Sequence, residues 1–316
     1  MTSRSLPHLF RARSHLLLRS QIRNPKPSSL PLKPLQRFCS SDASPPPPPP
    51  PTTQTPKVKI AGGGGVNPSP LYSSLDADEV AKFASIAETW WDFEGPFKPL
   101  HLINPPRLSF IRSTFCRHFR RDPYCARPFE GLKFIDVGCG GGILSEPLAR
   151  MGAMVTGIDA VEKNIKIARV HAGFDPLTSS IDYSCTTAEQ LVRENKMFDA
   201  VLALEVIEHV ADPSEFCKSL AALTAPNGAT VISTINRSVR SYAAAIVAAE
   251  YLLKWIPRGT HEWSKFLSPE ELVMIMRRSS ISVRHMISCV YNYETGEWSL
   301  SDDTSVNFIA FGTKQG

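Results

Sequence analysis

The first 41 residues contain no aspartate or glutamate. Eight basic side chains stand there among Ser and Leu: Arg4, Arg11, Arg13, Arg19, Arg23, Lys26, Lys33 and Arg37. Acid-free, Arg- and Ser-rich composition is that of a mitochondrial or plastid transit peptide rather than a folded element. Removing the segment leaves 27 Lys and Arg against 30 Asp and Glu, so the body is slightly acidic and has no general electrostatic reason to bind nucleic acid. No CxxC pair occurs among the seven cysteines, which argues against a disulfide frame or a zinc site. No apolar run reaches the roughly 18–20 residues that span a bilayer, and Leu16-Leu17-Leu18 is too short for a secretory core.

Residues 42–74 also lack core-forming character. Seven consecutive prolines, Pro45–Pro51, form a stiff stretch, and Gly62–Gly65 a flexible one. The expected organisation is a transit peptide over 1–41, a Pro/Gly-rich linker over 42–74 and one folded domain over 75–316.

Within that domain short apolar runs alternate with helical stretches. Strands are expected at 133–138, 154–159, 181–186, 198–204 and 229–235, with helices between them. The fold class this predicts is α/β, with a mostly parallel sheet covered on both faces. A helix should open at Ser268-Pro269-Glu270-Glu271, and the last two strand-like runs, ISVRHMISCVYNY and VNFIAFGTK, should pair as an antiparallel hairpin. An N-terminal helical lid is expected over 75–92.

The segment IDVGCGGG (135–142) lies at the first strand-to-helix junction. Gly138, Gly140 and Gly142 let the backbone turn sharply and approach a ligand. The third glycine of a dinucleotide fingerprint is missing, because position 143 is Ile143. Asp136, two residues before the first glycine, suits a ligand with an ammonium group better than a pyrophosphate. Asp159 ends the second strand 21 residues after Gly138, where a carboxylate can accept both hydroxyls of a ribose. An S-adenosylmethionine (SAM) site, a dinucleotide site and a purely structural turn are the three readings, and the Asp136-x-Gly138-x-Gly140-x-Gly142 spacing resembles the first motif of Rossmann-like SAM-dependent methyltransferases.

The run Val201-Leu202-Ala203-Leu204 is followed by Glu205, Glu208 and His209. If a turn of helix starts after Leu204, these three share one face. Two carboxylates and an imidazole would suit Mg²⁺ holding both oxygens of an ortho-dihydroxy ring. The alternatives are His209 as a metal-free general base and a merely structural cluster.

WWDFEGPFKPLHLINPPRLSFI (90–111), VGCGGGILSEPLARMGAMVTGID (137–159), LEVIEHVADP (204–213), STINR (233–237) and AAEYLLKWIPRGTHEWSKF (248–266) together resemble the O-methyltransferases of ubiquinone biosynthesis. The resemblance covers about 75–314. It implies a class I methyltransferase fold with a seven-stranded sheet. It also implies methylation of ring hydroxyls on polyprenylated dihydroxybenzoate and demethylubiquinol, on the matrix side of the mitochondrial inner membrane. SAM contacts would fall at Arg107, Gly138, Asp159 and Leu204, beside Asp136 and Gly140 of the loop, and a Mg²⁺ site at Glu205, Glu208 and His209. Partners would be polyprenylated quinone precursors, the membrane surface and a multi-subunit ubiquinone-synthesis complex. Methylation of another small phenol and a catalytically idle SAM-binding scaffold subunit are the alternative functions. The insertion at 240–263 contains an apolar helical stripe through Tyr242, Ile246, Ala249, Leu253 and Ile256, suited either to a membrane interface or to burial against the sheet.

Overall fold

The computed structural model describes residues 74–243, 262–292 and 294–314, all within one structural unit that begins at Val66. The basic segment, the Pro/Gly-rich stretch and most of the 240–263 insertion lie outside the described residues.

Five strands occur where the apolar runs predict them: β1 (Lys133–Val137), β2 (Met154–Asp159), β3 (Asp182–Cys185), β4 (Phe198–Leu204) and β5 (Thr224–Ile235). They pair in parallel. The centre of β4, Ala200 to Ala203, is fully buried, as expected of a strand with helices over both faces. Three more strands, β6 (Ile281–Asn292), β7 (Glu297–Ser301) and β8 (Asn307–Lys314), extend the sheet beyond β5, each antiparallel to the strand it pairs with. The full order is β3-β2-β1-β4-β5-β8-β6-β7.

The sheet has eight strands rather than the expected seven. The extra one, β7, is an edge strand with no buried residue, so it lacks the apolar signature by which the others are recognised. It follows β6 in the chain and pairs with it; β6 pairs with β8 on its other side. The expected C-terminal hairpin is therefore a three-stranded antiparallel unit.

The helices are α1 (Ala77–Ile86), α2 (Lys98–His118), α3 (Ser145–Arg150), α4 (Glu162–Ala172), α5 (Ala188–Arg193), α6 (Pro213–Leu223), the single turn α7 (Val239–Ser241) and α8 (Pro269–Arg278). Local chemistry sets several of their starts. Asp76 accepts the backbone N–H groups of Asp78 and Glu79 at the head of α1, and Asp212 those of Ser214 and Glu215 at the head of α6. Ser268 and Glu271 cap each other's backbone at α8, as the Ser-Pro-Glu-Glu sequence predicts.

The lid helix α1 and the following helix α2 are held by different forces. In α2, Ile103, Phe110, Ile111 and Phe115 are buried, and Phe115 meets Phe129, Phe134 and Phe311. Burial of such side chains is worth about 1.5–3 kcal/mol each, enough to retain a helix carrying Pro105 and Pro106 in its interior at a cost of ~3 kcal/mol or more per proline. In contrast, α1 has no fully buried residue; its partly buried Phe83 and Ile86 pack against the cluster of Trp90 and Phe97, beside ion pairs of Asp76 and Glu79 with Lys265. Among the described residues no helix is long and apolar enough to cross a membrane.

Candidate active site

The order of the sheet reverses between β1 and β4, and ligands of open α/β sheets bind beyond the carboxyl ends of the strands at such a point. A cavity of about 140 Å³ lies there, lined by Gly138 and Gly140 from the loop after β1, Asp159 from the end of β2, Glu205 and His209 from the segment after β4, and Glu79 and Phe83 from α1.

The glycine loop folds back onto β2, with the N–H groups of Gly138 and Cys139 both donating to the Ile158 carbonyl at 2.8 and 2.9 Å. Gly138 has φ +74° and Gly140 φ +54°, in the left-handed region. A Cβ on Gly138 would lie 2.5 Å from Val206, and one on Gly140 would collide with the Trp90 ring. Two tryptophans from the lid therefore grip this loop. Trp90 stacks on Phe97 with centroids 3.6 Å apart and donates its indole N–H to Asn164 Oδ1 at 2.9 Å. Trp91 donates to the Gly141 carbonyl at 2.9 Å and stacks on His171 at 3.4 Å. Local pattern gave no sign of this role, because a Trp-Trp pair reads equally well as core.

Asp159 Oδ2 accepts from Gly140 N at 3.0 Å, while Oδ1 accepts from Val161 N at 2.8 Å and Asn164 Nδ2 at 3.1 Å. A carboxylate has about four acceptor positions, so roughly one remains for a ribose hydroxyl rather than the expected two. Burial raises the Asp159 pKa in spite of these donors. Asp136 does not line the cavity. Its buried carboxylate accepts from Ser145 Oγ at 2.6 Å, and burial, with Asp159 nearby, pushes its pKa up to about 7.

Glu205, Glu208 and His209 do not share one face. Glu205 has φ +56°, which turns the chain out of any helical path, and a short 3₁₀ turn, Ile207–His209, follows in place of an α-turn. The three side chains diverge. Glu205 Oε1 meets Arg107 Nη2 at 2.5 Å and accepts from Ser233 Oγ at 2.6 Å. Glu208 is buried and accepts from Thr234 Oγ1 at 3.0 Å, leaving Oε1 without a partner; burial, then the Glu205 charge, pushes its pKa up. His209 Nδ1 faces Glu79 Oε2 at 2.9 Å. Among the described residues no three His, Cys, Asp or Glu side chains are grouped to hold a metal ion. With Arg107 already on Glu205, the predicted Mg²⁺ ligands do not fit a three-ligand centre as they are placed.

Arg107 is itself buried, with Nε unpartnered, and Leu204 is half-buried in line with Ser233; neither lines the cavity. Glu79, Ser233 and Thr234 went unnoticed in the sequence. Glu79 reads there as an ordinary first-turn acid, and its partner lies 130 residues away.

A parallel sheet with an antiparallel end, a glycine loop over a switch-point cavity and a carboxylate closing β2 define a class I SAM-dependent methyltransferase. A family model described as a methyltransferase domain matches residues 110–285. The chain belongs to the ubiquinone biosynthesis O-methyltransferase family. It is 61% identical over 283 residues to the mitochondrial ubiquinone biosynthesis O-methyltransferase of Arabidopsis thaliana, covering 89% of this chain and 88% of that one. It is 48% identical over 242 residues to the ubiquinone biosynthesis O-methyltransferase of Parvibaculum lavamentivorans, covering 77% and 95%. Solved structures of lower identity share the fold. A SAM-dependent methyltransferase from Thermotoga maritima has a TM-score of 0.52 at 18% identity, covering 75% of this chain and 99% of that chain. Magnesium protoporphyrin IX methyltransferase from Synechocystis has 0.51 at 16%, covering 75% and 94%.

Proposed function

We propose that this SAM-dependent O-methyltransferase methylates ring hydroxyls of 3,4-dihydroxy-5-polyprenylbenzoate and of 3-demethylubiquinol. The observation that carries the reading is the cavity itself, which places the glycine loop, Asp159 and His209 around one space at the switch point. SAM would lie along the loop, with its ribose toward Asp159 and its methionine carboxylate toward Arg107. Leu204 and Gly140 would complete that contact, and Asp136 would support the loop from below.

Methyl transfer from a sulfonium to a phenol oxygen is an in-line displacement, so the enclosure's first contribution is alignment, worth up to ~7–11 kcal/mol in favourable cases. Its second concerns the phenol proton. With a phenol pKa of about 10, forming the phenolate near neutral pH costs ~3–4 kcal/mol at about 1.36 kcal/mol per pH unit. His209 is the cavity-lining side chain suited to accept that proton. A second reading, Mg²⁺ held by Glu205, Glu208 and His209, is favoured by one observation, the buried and unpartnered Glu208 Oε1. It requires Glu205 to leave Arg107. Methyl transfer measured in excess chelator separates the two. Undiminished turnover fits His209 as acceptor; turnover that vanishes and returns with magnesium establishes the second reading.

The localisation proposed is the mitochondrion, at the matrix face of the inner membrane, with residues 1–41 as transit peptide and 42–74 as linker. The plant relative's mitochondrial name supports it, as does the acid-free composition. Peripheral docking through the 240–263 insertion is supported by Val239, Tyr242 and Trp263, exposed apolar residues on either side of residues 244–261. Liposome binding unchanged by Ile246→Glu plus Leu253→Glu would count against it. Membership of a multi-subunit ubiquinone-synthesis complex is part of the same proposal. The intact loop, Asp159 and His209 argue against an idle scaffold subunit, which has no chemical need for them.

A further inference from the structure

We infer that Trp90 is a positioning residue for the cofactor: through Asn164 it fixes the Asp159 carboxylate and leaves one oxygen, Oδ2, open to a ribose hydroxyl. The inference deepens the function proposed above and rests on its placement of the SAM ribose at Asp159.

Four residues close a circuit. The Trp90 indole N–H donates to Asn164 Oδ1 at 2.9 Å, and Asn164 Nδ2 donates to Asp159 Oδ1 at 3.1 Å. Asp159 Oδ2 accepts from Gly140 N at 3.0 Å, and the space that a Cβ on Gly140 would need is filled by the Trp90 ring. The four come from separate places in the chain. Trp90 lies on the segment between α1 and α2, Gly140 in the loop after β1, Asp159 at the end of β2 and Asn164 in the first turn of α4. All four line the same cavity.

The chemistry of these groups allows one arrangement. An indole N–H can only donate, so the Asn164 atom facing it is the amide oxygen. The amide nitrogen then faces Asp159, where it meets an acceptor. Asp159 Oδ1 takes this bond and one from Val161 N at 2.8 Å, which engages both of its lone pairs. Oδ2 has only Gly140 N, so the open position is there. The relay therefore settles which oxygen remains for the ribose.

Trp90 is able to act as the fixed end because it is held on its other side. Its ring lies flat on Phe97, with planes 6° apart, and its carbonyl accepts from His101 Nε2 at 2.8 Å. Trp90 and Asn164 are 7% and 2% exposed, so little water reaches the bond between them. Docking of the segment that carries Trp90 and the shape of the ribose site are thus one event. With that segment displaced, Asp159 keeps its two backbone donors, while the Asn164 amide that completes its ring of contacts loses its anchor.

The test uses the full chain and titrates SAM calorimetrically into wild type, Trp90→Phe, Asn164→Ala, the double variant and Asp159→Asn. Trp90→Phe keeps an aromatic ring beside Gly140 and Phe97 and removes the N–H. It should weaken SAM binding about 2–10-fold, the worth of one neutral hydrogen bond, and kcat at saturating SAM and substrate should change by less. Asn164→Ala should weaken binding at least as much. Adding Trp90→Phe to it should cause no further loss, since the indole then has nothing to hold. Where Asn164→Ala does not fold, Asn164→Ser takes its place. A Trp90→Phe loss that persists in full without Asn164 would overturn the inference, because it would come from packing on Gly140 alone. So would a loss confined to kcat. If Asp159→Asn weakens SAM binding and Trp90→Phe does not, the inference alone fails. If Asp159→Asn binds SAM as wild type does, the ribose placement fails and takes the inference with it.

Discussion

Arg107 and Glu205 form an enclosed ion pair, Nη2 to Oε1 at 2.5 Å, between helix α2 and the end of β4. In the cofactor placement proposed above, the methionine carboxylate of SAM would compete with the Glu205 carboxylate for this guanidinium. Removing one partner of a buried pair leaves an uncompensated charge at about 3–5 kcal/mol, reduced here because Glu205 is 21% exposed. Glu205→Gln should therefore lower the stability of the SAM-free protein, and saturating SAM should raise Tm by more in the variant than in wild type. Thermal unfolding with and without SAM checks this; an equal or smaller rise in the variant would contradict it.

Arg107→Ala removes the guanidinium altogether. A hydrogen bond to a charged group is worth about 1.5–3 kcal/mol, which corresponds to a loss of SAM affinity of about 10–100-fold. Titration calorimetry reads this directly, and unchanged affinity would remove Arg107 from the cofactor site.

Gly140→Ala should cost more than Gly131→Ala. Both glycines have positive φ, +54° and +81°, and strain of that kind costs about 1–3 kcal/mol. A Cβ at Gly131 meets nothing within 4 Å, whereas one at Gly140 runs into Trp90. The difference in unfolding free energy between the two variants therefore measures how tightly Trp90 is packed on the loop. Equal costs would mean that the lid gives way freely there.

Asp136 makes stability depend on pH. Its pKa is raised from 3.8 to about 7 by burial, with Asp159 adding to it. A carboxyl raised in the folded state favours folding when protonated, so its contribution is complete below pH 3.8 and is lost progressively up to about pH 7. The full loss is on the order of 4 kcal/mol at about 1.36 kcal/mol per pH unit. Asp136→Asn, which still offers an oxygen to Ser145, should flatten the decline in stability across that window. Denaturant titrations at several pH values check it, and an unaltered slope would mean that Asp136 ionises freely in the native protein.

Much of this was readable in the chain. Parallel strands buried on both faces announce themselves as apolar runs, and β4 falls at its predicted bounds, 198–204. The turn at the glycine loop and the place of Asp159 at the end of β2 are legible because both depend on local spacing. The divergence of Glu205, Glu208 and His209 was not, since it turns on a single left-handed residue, Glu205, whose type carries no such signal. Trp90, Ser233 and Glu79 escaped for a different reason: each acts on a partner remote in sequence, and periodicity reports only neighbours. The edge strand β7 was missed because it buries nothing.

The central claim is methyl transfer from SAM to a ring hydroxyl in the cavity over β1 and β4. Its most direct test is transfer of a radiolabelled methyl group from SAM to a short-chain prenyl dihydroxybenzoate, with wild type and His209→Gln side by side. Labelled methyl ether formed by wild type, and a rate about 10²–10⁴-fold lower in His209→Gln, is the predicted result. A wild-type protein that binds SAM yet leaves this substrate unmethylated would contradict it.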